Sequence, residues 1–341
     1  MPIKIRSVRK EDSPEILALA RLAGVGMSSL PINELVLDQI IDNAIKSFAG
    51  TPTKPKEENF LFVLEDTKTG KIAGTTGVYA HVGLSRPFYS YKISIISQAS
   101  PAIGIYSHQQ VLHMVNDYNG ASELGSLFLH PDYRRDGIGS FLSRCRYMLL
   151  AEFPDLFSDI IISEIRGVHD ENGDSPFYDN LAKHFFKLSF TEADYIYATQ
   201  GAQFIADLMP KYPIYVNLLD KKAQDVIGVP FPASKPAMRL LTDEGFDYQG
   251  YIDLFDAGPT LQTKASNIKT VRESRKAKIV GIGLANIGRS ESEKYMISNT
   301  RLDDFMVVQG AIKLSEDGII ISPETANSLK VEKGDMVRYV L

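Results

Sequence analysis

A basic, glycine-rich corner carries the most suggestive chemistry in this sequence. The segment LHPDYRRDGIGSFL (residues 129–142) places Arg134 and Arg135 shortly before Gly137 and Gly139. Glycine lets backbone N–H groups approach a ligand closely because it has no Cβ. A helix that begins at about Gly139 would add its free N–H groups and the positive end of its dipole. Since arginine suits phosphate oxygens, the corner predicts a cradle for a diphosphate, with a solvated glycine turn as the alternative.

The elements around this corner predict a strand-to-helix junction in an α/β fold. SELGSLFL (Ser122–Leu129) predicts the strand before the corner, and an amphipathic helix follows it up to Pro154. DIIISEI (residues 159–165) predicts the next strand, and Ser175 with Pro176 predicts the start of another helix. The order strand, helix, strand, helix requires at least one crossover.

The N-terminal part predicts a strand, two helices and a hairpin. Residues 3–8 alternate apolar and polar as a half-buried strand does. DSPEILALARLAG (residues 12–24) predicts a helix with Asp12 or Ser13 as its N-cap and Gly24 as its end. The apolar spacing over residues 37–48 predicts a second helix that ends at Gly50. NFLFVLED and KIAGTTGVYA, separated by a TKTG turn, predict two paired strands.

The composition and the pattern of predicted elements change twice along the chain, which predicts three parts. Residues 1–198 hold the elements described above, and residues 199–262 are richer in proline and aromatics before they return to a helix and a strand. Residues 263–341 have short strands and turns typical of a small β-rich module. The chain of 341 residues is longer than a typical domain of about 100–200 residues, which indicates two domains or one elaborated domain.

The composition excludes several classes of partner. The 37 basic and 42 acidic residues give a net charge of −5, so no global field favours nucleic acid or an anionic membrane. The N-terminus lacks the apolar core of a signal peptide, and no run approaches the roughly 20 apolar residues needed to span a bilayer. We therefore expect a cytoplasmic protein without a nucleic-acid or membrane partner.

Two other patterns predict no chemistry. The six histidines and one cysteine show no metal-ligand spacing, and Cys145 falls on the apolar side of its helix, which indicates a core position. GIGLANIG (residues 281–288) resembles a dinucleotide fingerprint, but Asn286 stands at the third glycine position, so we interpret this segment as a loop.

The corner resembles the acyl-CoA pyrophosphate loop of the GNAT superfamily. The superfamily pattern is Arg/Gln-x-x-Gly-x-Gly/Ala, and Arg134, Gly137 and Gly139 match it. The resemblance implies that the strand before the loop separates from the next one and leaves backbone groups free for the pantetheine arm. The expected fold class is therefore α/β: a GNAT-like mixed sheet flanked by helices, with residues 1–198 as the acyl-CoA-binding domain, residues 199–262 completing the substrate cleft, and a small C-terminal β-rich module.

A more specific resemblance covers roughly residues 2–262. The blocks that carry it, in order along the chain, are MSSLPINE, FVLEDTKTGKIAG, SELGSLFLHPDYRRDGIG, EIRGVHDENGDSPFYDNL, IADLMPKYPIY, AQDVIG and GFDYQGYIDLFDAGPTL. Together they resemble the arginine N-succinyltransferase family. The resemblance implies transfer of succinyl from succinyl-CoA to the α-amine of L-arginine, as the first step of arginine degradation. It also implies that the main chain at Leu127 contacts succinyl-CoA, which acts as co-substrate, with no permanently bound cofactor.

The sequence departs from this family at one position. The family has a histidine, assigned as proton donor, in a Gly-x-x-His-Pro segment, but the matching segment here is GVPFP (residues 228–232) with Phe231 in that place. Phenylalanine cannot move a proton, and the last histidine of the chain is His184. Glu123, at the start of the strand before the loop, and His169, after the next strand, are the remaining catalytic candidates. A strand-end surface glutamate and a solvated loop histidine are the alternatives.

The substrate residues and the partners follow as further expectations. Ser29 and Glu34 lie in a block that matches the family, with Glu34 a candidate for the guanidinium and Arg166 for a carboxylate of substrate or succinyl. A helix-start charge or a surface ion pair would explain the last two equally well. The alternatives for function are a related N-acyltransferase that uses ornithine or another acyl-CoA, and a CoA-binding inactive or regulatory subunit. We expect a homo-oligomer or pairing with a paralogous subunit.

Overall fold

Among the residues that the structure describes, one continuous, mostly antiparallel sheet of 16 strands organises the fold, with helices flanking it. The structure is a computed structural model, and it describes residues 3–24, 26–50, 57–170, 173–283 and 294–341. The strand order is β14-β15-β11-β16-β12-β13-β1-β2-β3-β6-β7-β10-β9-β4-β5-β8. The predicted mixed α/β sheet flanked by helices is therefore confirmed.

The strands and helices have the following bounds. The strands are β1 Ile3–Ser7, β2 Asn59–Asp66, β3 Ile72–Tyr79, β4 Ser90–Ser100, β5 Ile105–Val115, β6 Ser122–Leu129, β7 Ile160–Glu164, β8 Ile214–Tyr215, β9 Asp247–Asp253, β10 Pro259–Lys264, β11 Arg275–Ile282, β12 Tyr295–Ser298, β13 Met306–Gly310, β14 Ile312–Ser315, β15 Gly318–Ile321 and β16 Met336–Val340. The helices are α1 Ser13–Ala23, α2 Glu34–Ala49, α3 Ile138–Glu152, α4 Pro176–Asn180, α5 Ala182–Phe186, α6 Phe190–Gln200, α7 Gln203–Leu208, α8 Lys221–Gln224, α9 Lys235–Asp243, α10 Lys269–Glu273 and α11 Pro323–Leu329.

Most of the local signals act as predicted. Gly24 and Gly50 end α1 and α2, and β2 and β3 form the predicted hairpin. Ser175 caps α4 by accepting a hydrogen bond from the backbone N–H of Tyr178. That helix ends at Asn180 instead of continuing, because Leu181 leaves the helical region with φ −129° and ψ −78°.

The two strands around the glycine-rich corner separate soon after they begin. Strands β6 and β7 run parallel and pair only at Ser122 with Ile161 and at Glu123 with Ile162. Beyond these pairs β6 stays bonded to β3 on its other side, and β7 stays bonded to β10. A gap therefore opens between β6 and β7, as the resemblance to acyl-CoA-binding folds implied.

The two later parts of the chain contribute strands to the same sheet. Strands β9 and β10 lie between β7 and β4, and β13 pairs with β1 through Val307 and Ile5. The division at residues 198 and 262 stays a prediction. Strands β4 and β5 form a long hairpin for which the motifs above gave no prediction.

The C-terminal module shares a hydrophobic core with the N-terminal part. Phe305, just before β13, is fully buried, and its ring centroid lies 5.9 Å from that of Phe62 and 6.1 Å from that of Phe153. Because these three rings come from three distant parts of the sequence, we infer that the module and the N-terminal strands unfold together.

We expect the substitution Phe305→Ala to lower the free energy of unfolding by about 3–5 kcal/mol, since it removes a buried ring and leaves a cavity. Urea denaturation followed by circular dichroism measures this change. Leu314→Ala, at a side chain of the same module that is 60% exposed, serves as the control and should change the free energy by less than about 0.5 kcal/mol. A loss below about 1 kcal/mol for Phe305→Ala would contradict the shared core.

Candidate active site

The gap between β6 and β7 leads into a cleft with a volume of about 170 Å³. Its walls come mainly from β6, β7, the loop before α2, helices α3, α6 and α9, and the end of β9 with the chain that follows it. Acidic groups dominate among the ionisable side chains that line it. They are Glu123, Glu164, Asp194, Asp253, Asp256, Arg146 and Arg166, together with Tyr89 and Tyr197.

Burial and mutual repulsion raise the pKa of all five carboxyl groups. Burial, with repulsion from Asp253, raises the pKa of Glu123 to about 7. The same two causes raise the pKa of Asp194 to about 6, although Arg166 opposes the change. The pKa values of Glu164 and Asp256 also lie well above the ordinary values, and that of Asp253 is raised by burial. Burial and crowding of like charges therefore disfavour the ionised forms of these groups.

Backbone N–H groups hold two of the five carboxylates in place. Asp256 accepts hydrogen bonds from the N–H of Gly167 at 2.7 Å and from that of Gly258 at 2.8 Å. A Cβ at Gly258 would stand 2.0 Å from the carbonyl oxygen of Ile165, so only glycine permits this crossing of chains. Asp253 in turn accepts from the N–H groups of two residues that follow it.

The other three carboxylates have no hydrogen-bond donor within the described parts of the chain. Glu123 and Glu164 project from neighbouring strands, and Asp194 projects from α6. Oxygen Oε1 of Glu164 is buried without a partner. Since buried polar groups are normally satisfied, these three side chains form a site suited to a cationic ligand.

Arg166 lies in the cleft and is held by main-chain oxygens. Its Nε donates to the carbonyl of Gly26 and its NH1 group donates to the carbonyl of Ala23, both at 3.2 Å. Burial lowers the pKa of Arg166, and Asp256 and Asp194 partly offset that effect. The structure therefore brings Arg166 to the acidic end of the cleft.

Ser29 fixes an irregularity in β6 beside the gap. The N–H of Ser126 donates to Ser29 Oγ at 2.9 Å, and Ser126 Oγ donates to the carbonyl of Ser29 at 2.8 Å. Ser126 has a positive φ of 53°, which is rare for a residue other than glycine, and the register with β3 shifts at this point. Leu127 consequently has no paired residue in β3 or β7, so its main chain is open to an extended ligand.

The glycine-rich corner has the geometry of an anion cradle. Gly137 caps α3 with φ 74°, and α3 begins at Ile138, one residue earlier than expected. The N–H groups of Gly139 and Ser140 have no carbonyl acceptor in the described chain. Arg134 is kept beside them because its Nε donates to the carbonyl of Leu129 at 3.0 Å.

The second glycine of the motif is not required by the fold itself. A Cβ at Gly139 would lie 3.9 Å from the side chain of Leu129, an ordinary contact, and the φ of Gly139 is not positive. Glycine at this position therefore leaves room above the start of α3, on the side from which a ligand would approach. Arg135 lies next to this space in an exposed part of the loop.

Of the predicted catalytic and acceptor-binding residues, Glu34 and His169 lie outside the cleft lining. Glu34 is exposed at the first position of α2. His169 stacks on Phe231 with ring centroids 4.3 Å apart and an interplanar angle of 17°. Burial lowers the pKa of His169, and Phe231 donates its N–H to the carbonyl of Arg166 at 2.8 Å. Both rings thus lie next to Arg166 of the cleft, and the catalytic role of His169 stays a prediction.

Sequence reasoning missed most of the acidic group. Glu164 stands at the end of the apolar strand β7, which is a signal that could have identified it, whereas Asp253 ends the mostly polar strand β9. Asp194 lies in a helix without any distinguishing pattern, and only the tertiary structure brings it to the cleft.

Other features of the described residues point to no additional chemistry. Burial raises the pKa of the Cys145 thiol to about 12, as fits its core position. Among the described residues, no group of His, Cys, Asp and Glu side chains could hold a metal ion, and no helix has the length and apolar character needed to cross a bilayer. Residues 284–288 of the GIGLANIG segment lie outside the described residues.

Comparisons with known proteins identify the family. The family model described as arginine N-succinyltransferase beta subunit matches residues 3–270, and the model of its C-terminal domain matches residues 275–340. The chain belongs to the arginine N-succinyltransferase family. The resemblance stated from the sequence is thereby confirmed, and it extends through the C-terminal module. Members of this family are acyltransferases.

Individual relatives cover the whole chain. The arginine N-succinyltransferase of Escherichia coli (strain 55989 / EAEC) is 40% identical over 336 residues, which are 98% of this chain and 96% of the relative. That of Yersinia enterocolitica is 40% identical over 338 residues, 99% and 97% of the two chains. The solved structure of arginine/ornithine succinyltransferase subunit AI from Pseudomonas aeruginosa superposes with a TM-score of 0.88 at 32% identity, covering 99% of this chain and 98% of that one.

We expect Arg134→Ala to raise the dissociation constant of coenzyme A about tenfold or more, because one charge-assisted hydrogen bond to phosphate contributes about 1.5–3 kcal/mol. Isothermal titration calorimetry measures this constant. Arg301→Ala is the matched control, since Arg301 lies in the C-terminal module in an exposed ion pair with Asp304. Equal affinity of Arg134→Ala and the parent would contradict the assignment of the cradle.

Proposed function

We propose that this chain is an arginine N-succinyltransferase that transfers the succinyl group of succinyl-CoA to the α-amine of L-arginine. The observation that carries the proposal is that two sites of opposite chemistry share strand β6. Residues 123–127 of β6 line a cleft that holds five partly or fully buried carboxyl groups, and the anion cradle at the start of α3 follows the end of β6. An anionic thioester donor and a cationic acceptor fit these two sites and would meet between β6 and β7.

The donor site uses the cradle and the free edge of β6. The diphosphate of CoA fits the N–H groups of Gly139 and Ser140 with Arg134 and Arg135 beside them. The pantetheine arm then extends along the unpaired main chain at Leu127, where its amides can pair with backbone groups.

The acceptor site uses the acidic end of the cleft. Arginine carries a positive guanidinium and a positive α-ammonium group, and carboxylates bind both with charge-assisted hydrogen bonds. Glu164 and Asp194, which have no donors among the described residues, suit the guanidinium better than the exposed Glu34 does. Arg166 is available for the α-carboxylate of the acceptor, next to the loop that carries Ser29.

Glu123 is the base that this geometry supports best. With a pKa of about 7, it is partly ionised at neutral pH and can take one proton from the α-ammonium group. The neutral amine then attacks the thioester carbonyl carbon, a C–N bond forms and the C–S bond breaks. The second amine proton ends on the sulfur, so the products are N-succinylarginine and the free thiol of CoA. Holding both substrates in one cleft supplies much of the rate.

We expect the purified chain to release free thiol from succinyl-CoA in the presence of arginine, and to do so at least tenfold less efficiently with citrulline. Citrulline has the same shape but an uncharged urea group, so it cannot pair with the buried carboxylates. A colorimetric thiol assay gives kcat/KM for each acceptor, with ornithine and lysine in the same panel.

The same panel separates the proposal from its rivals. Equal use of citrulline and arginine would contradict recognition by the acidic group, and a preference for ornithine would favour the related N-acyltransferase. Saturable CoA binding without thiol release for any acceptor would favour a second candidate, an inactive CoA-binding subunit. Phe231, at the position of the family histidine, is the observation that favours this second candidate.

We expect kcat/KM to rise with pH to a plateau above about pH 7, because the base must be ionised and burial raises the pKa of Glu123 to about 7. Glu123→Gln should lower kcat by about 10²–10⁴-fold and remove this step from the profile. Glu316→Gln, at an exposed position of the C-terminal module, is the control and should keep the parental profile. A full pH step in Glu123→Gln would assign the base elsewhere, with His169 as the next candidate.

Assembly with another copy of the chain is supported by the β4–β5 hairpin. Residues 93–112 contain no Asp, Glu, Lys or Arg, and Ile95, Ile103 and Tyr106 are 65%, 69% and 67% exposed. An uncharged apolar surface meets its own copy without repulsion, whereas free two-stranded hairpins are only marginally stable. Pairing with a paralogous subunit is the alternative, and the cytoplasmic location also stays a prediction.

A further inference from the structure

Arg146 is a buried cation in the cleft that the mechanism above does not use. It lies in α3, its side chain is 1% exposed, and it is among the largest fully buried side chains of the described chain. It lines the cleft together with Ser163 of β7 and with Ala237 and Leu241 of α9.

The partners of Arg146 leave most of its hydrogen-bonding capacity unused. Its Nε donates to the carbonyl of Ser143 at 2.9 Å, and its NH2 group donates to Ser143 Oγ at 2.7 Å. Guanidinium has five N–H donors, and the NH1 group makes no hydrogen bond to any described residue. Within the described chain, no carboxylate oxygen lies within 4.0 Å of it.

Another buried arginine shows what a structural role would look like in this protein. Arg6 is 4% exposed, and its guanidinium makes two hydrogen bonds of 2.8 Å to Asp12 and a further one to Glu65. Burying a charge without a counterion is costly, and proteins normally pair it. The free face of Arg146 in the cleft therefore indicates an anionic partner that arrives with a ligand.

We propose that Arg146 binds the free carboxylate at the far end of the succinyl group, and that it sets the specificity for acyl donors that end in a carboxylate. This inference rests on the proposed function. The CoA arm separates the diphosphate from the thioester, so the acyl end must lie deep in the cleft. Arg146 lies about 12 Å along α3 from the start of the helix, on the wall of the cleft.

The other arginine of the cleft is less suited to this carboxylate. Arg166 is attracted by Asp256 and Asp194, and two of its nitrogen atoms already donate to carbonyl groups. A succinyl carboxylate beside it would also face these acidic groups. Arg166 therefore suits the acceptor, and Arg146 suits the donor.

The experiment compares succinyl-CoA with butyryl-CoA, which has a methyl group in place of the carboxylate, in the parent, Arg146→Met and Arg146→Lys. We expect Arg146→Met to lose about a hundredfold in kcat/KM for succinyl-CoA and to keep its rate with butyryl-CoA within about threefold. Arg146→Lys keeps the charge and should retain part of the preference. Calorimetry with CoA and thermal unfolding check that each variant is folded and still binds the carrier.

The outcomes distinguish this inference from the proposed function. Equal losses for both donors in folded Arg146→Met, or no loss for either, would overturn the role of Arg146. No thiol release by the parent from succinyl-CoA and arginine would overturn the proposed function instead. In that case calorimetry tests the role of Arg146. If the parent binds succinyl-CoA more tightly than butyryl-CoA, Arg146→Met should bind the two with equal affinity. If Arg146→Met does not fold, the donor preference of Arg146→Lys, expected to fall but not vanish, is the test.

Discussion

The separation of β6 and β7 after two residue pairs is the constraint on which the rest of this structure depends. A gap in a sheet exposes backbone groups, and it persists only when each strand is held from its other side. Here β3 holds β6 and β10 holds β7, while Ser163 Oγ donates to the carbonyl of Leu124 and satisfies one group across the gap. The two hydrogen bonds between Ser29 and Ser126 hold β6 away from β7 farther along the strand.

Opposite charge in the cradle and in the cleft gives each ligand one place to bind. The cradle at the start of α3 attracts phosphate and repels a guanidinium, and the carboxylates of the cleft do the reverse. The raised pKa values of these carboxyl groups reflect burial and repulsion between neighbouring acids, which disfavour the ionised forms. A cationic acceptor would offset both effects, so this group of acids favours a cationic ligand.

The predictable parts of the site consist of residues that lie close together in the sequence. Arg134, Gly137 and Gly139 share one loop, so their spacing alone indicates their joint chemistry. The acidic group is different, because Glu164 and Asp194 come from a strand and a helix that only tertiary packing brings together. The same holds for the stacking of His169 on Phe231 and for the pairing of β13 with β1, since long-range contacts leave no local pattern in a sequence.

Phe231 stands where the family has a histidine, and the pKa values of the groups near the cleft bear on whether another residue can transfer the proton. A general base is most useful with a pKa near the working pH, and a histidine has an ordinary pKa of about 6.5. Burial and repulsion from Asp253 raise the pKa of Glu123 to about 7, so this carboxyl group titrates in the same pH range as a histidine. His169, by contrast, is stacked on Phe231 and its pKa is lowered, so it stays neutral at physiological pH. Phe231 removes the imidazole that the family uses as proton donor, but Glu123 keeps a proton-transfer group with a pKa of about 7 in the cleft. An active enzyme is therefore the better account of this chain.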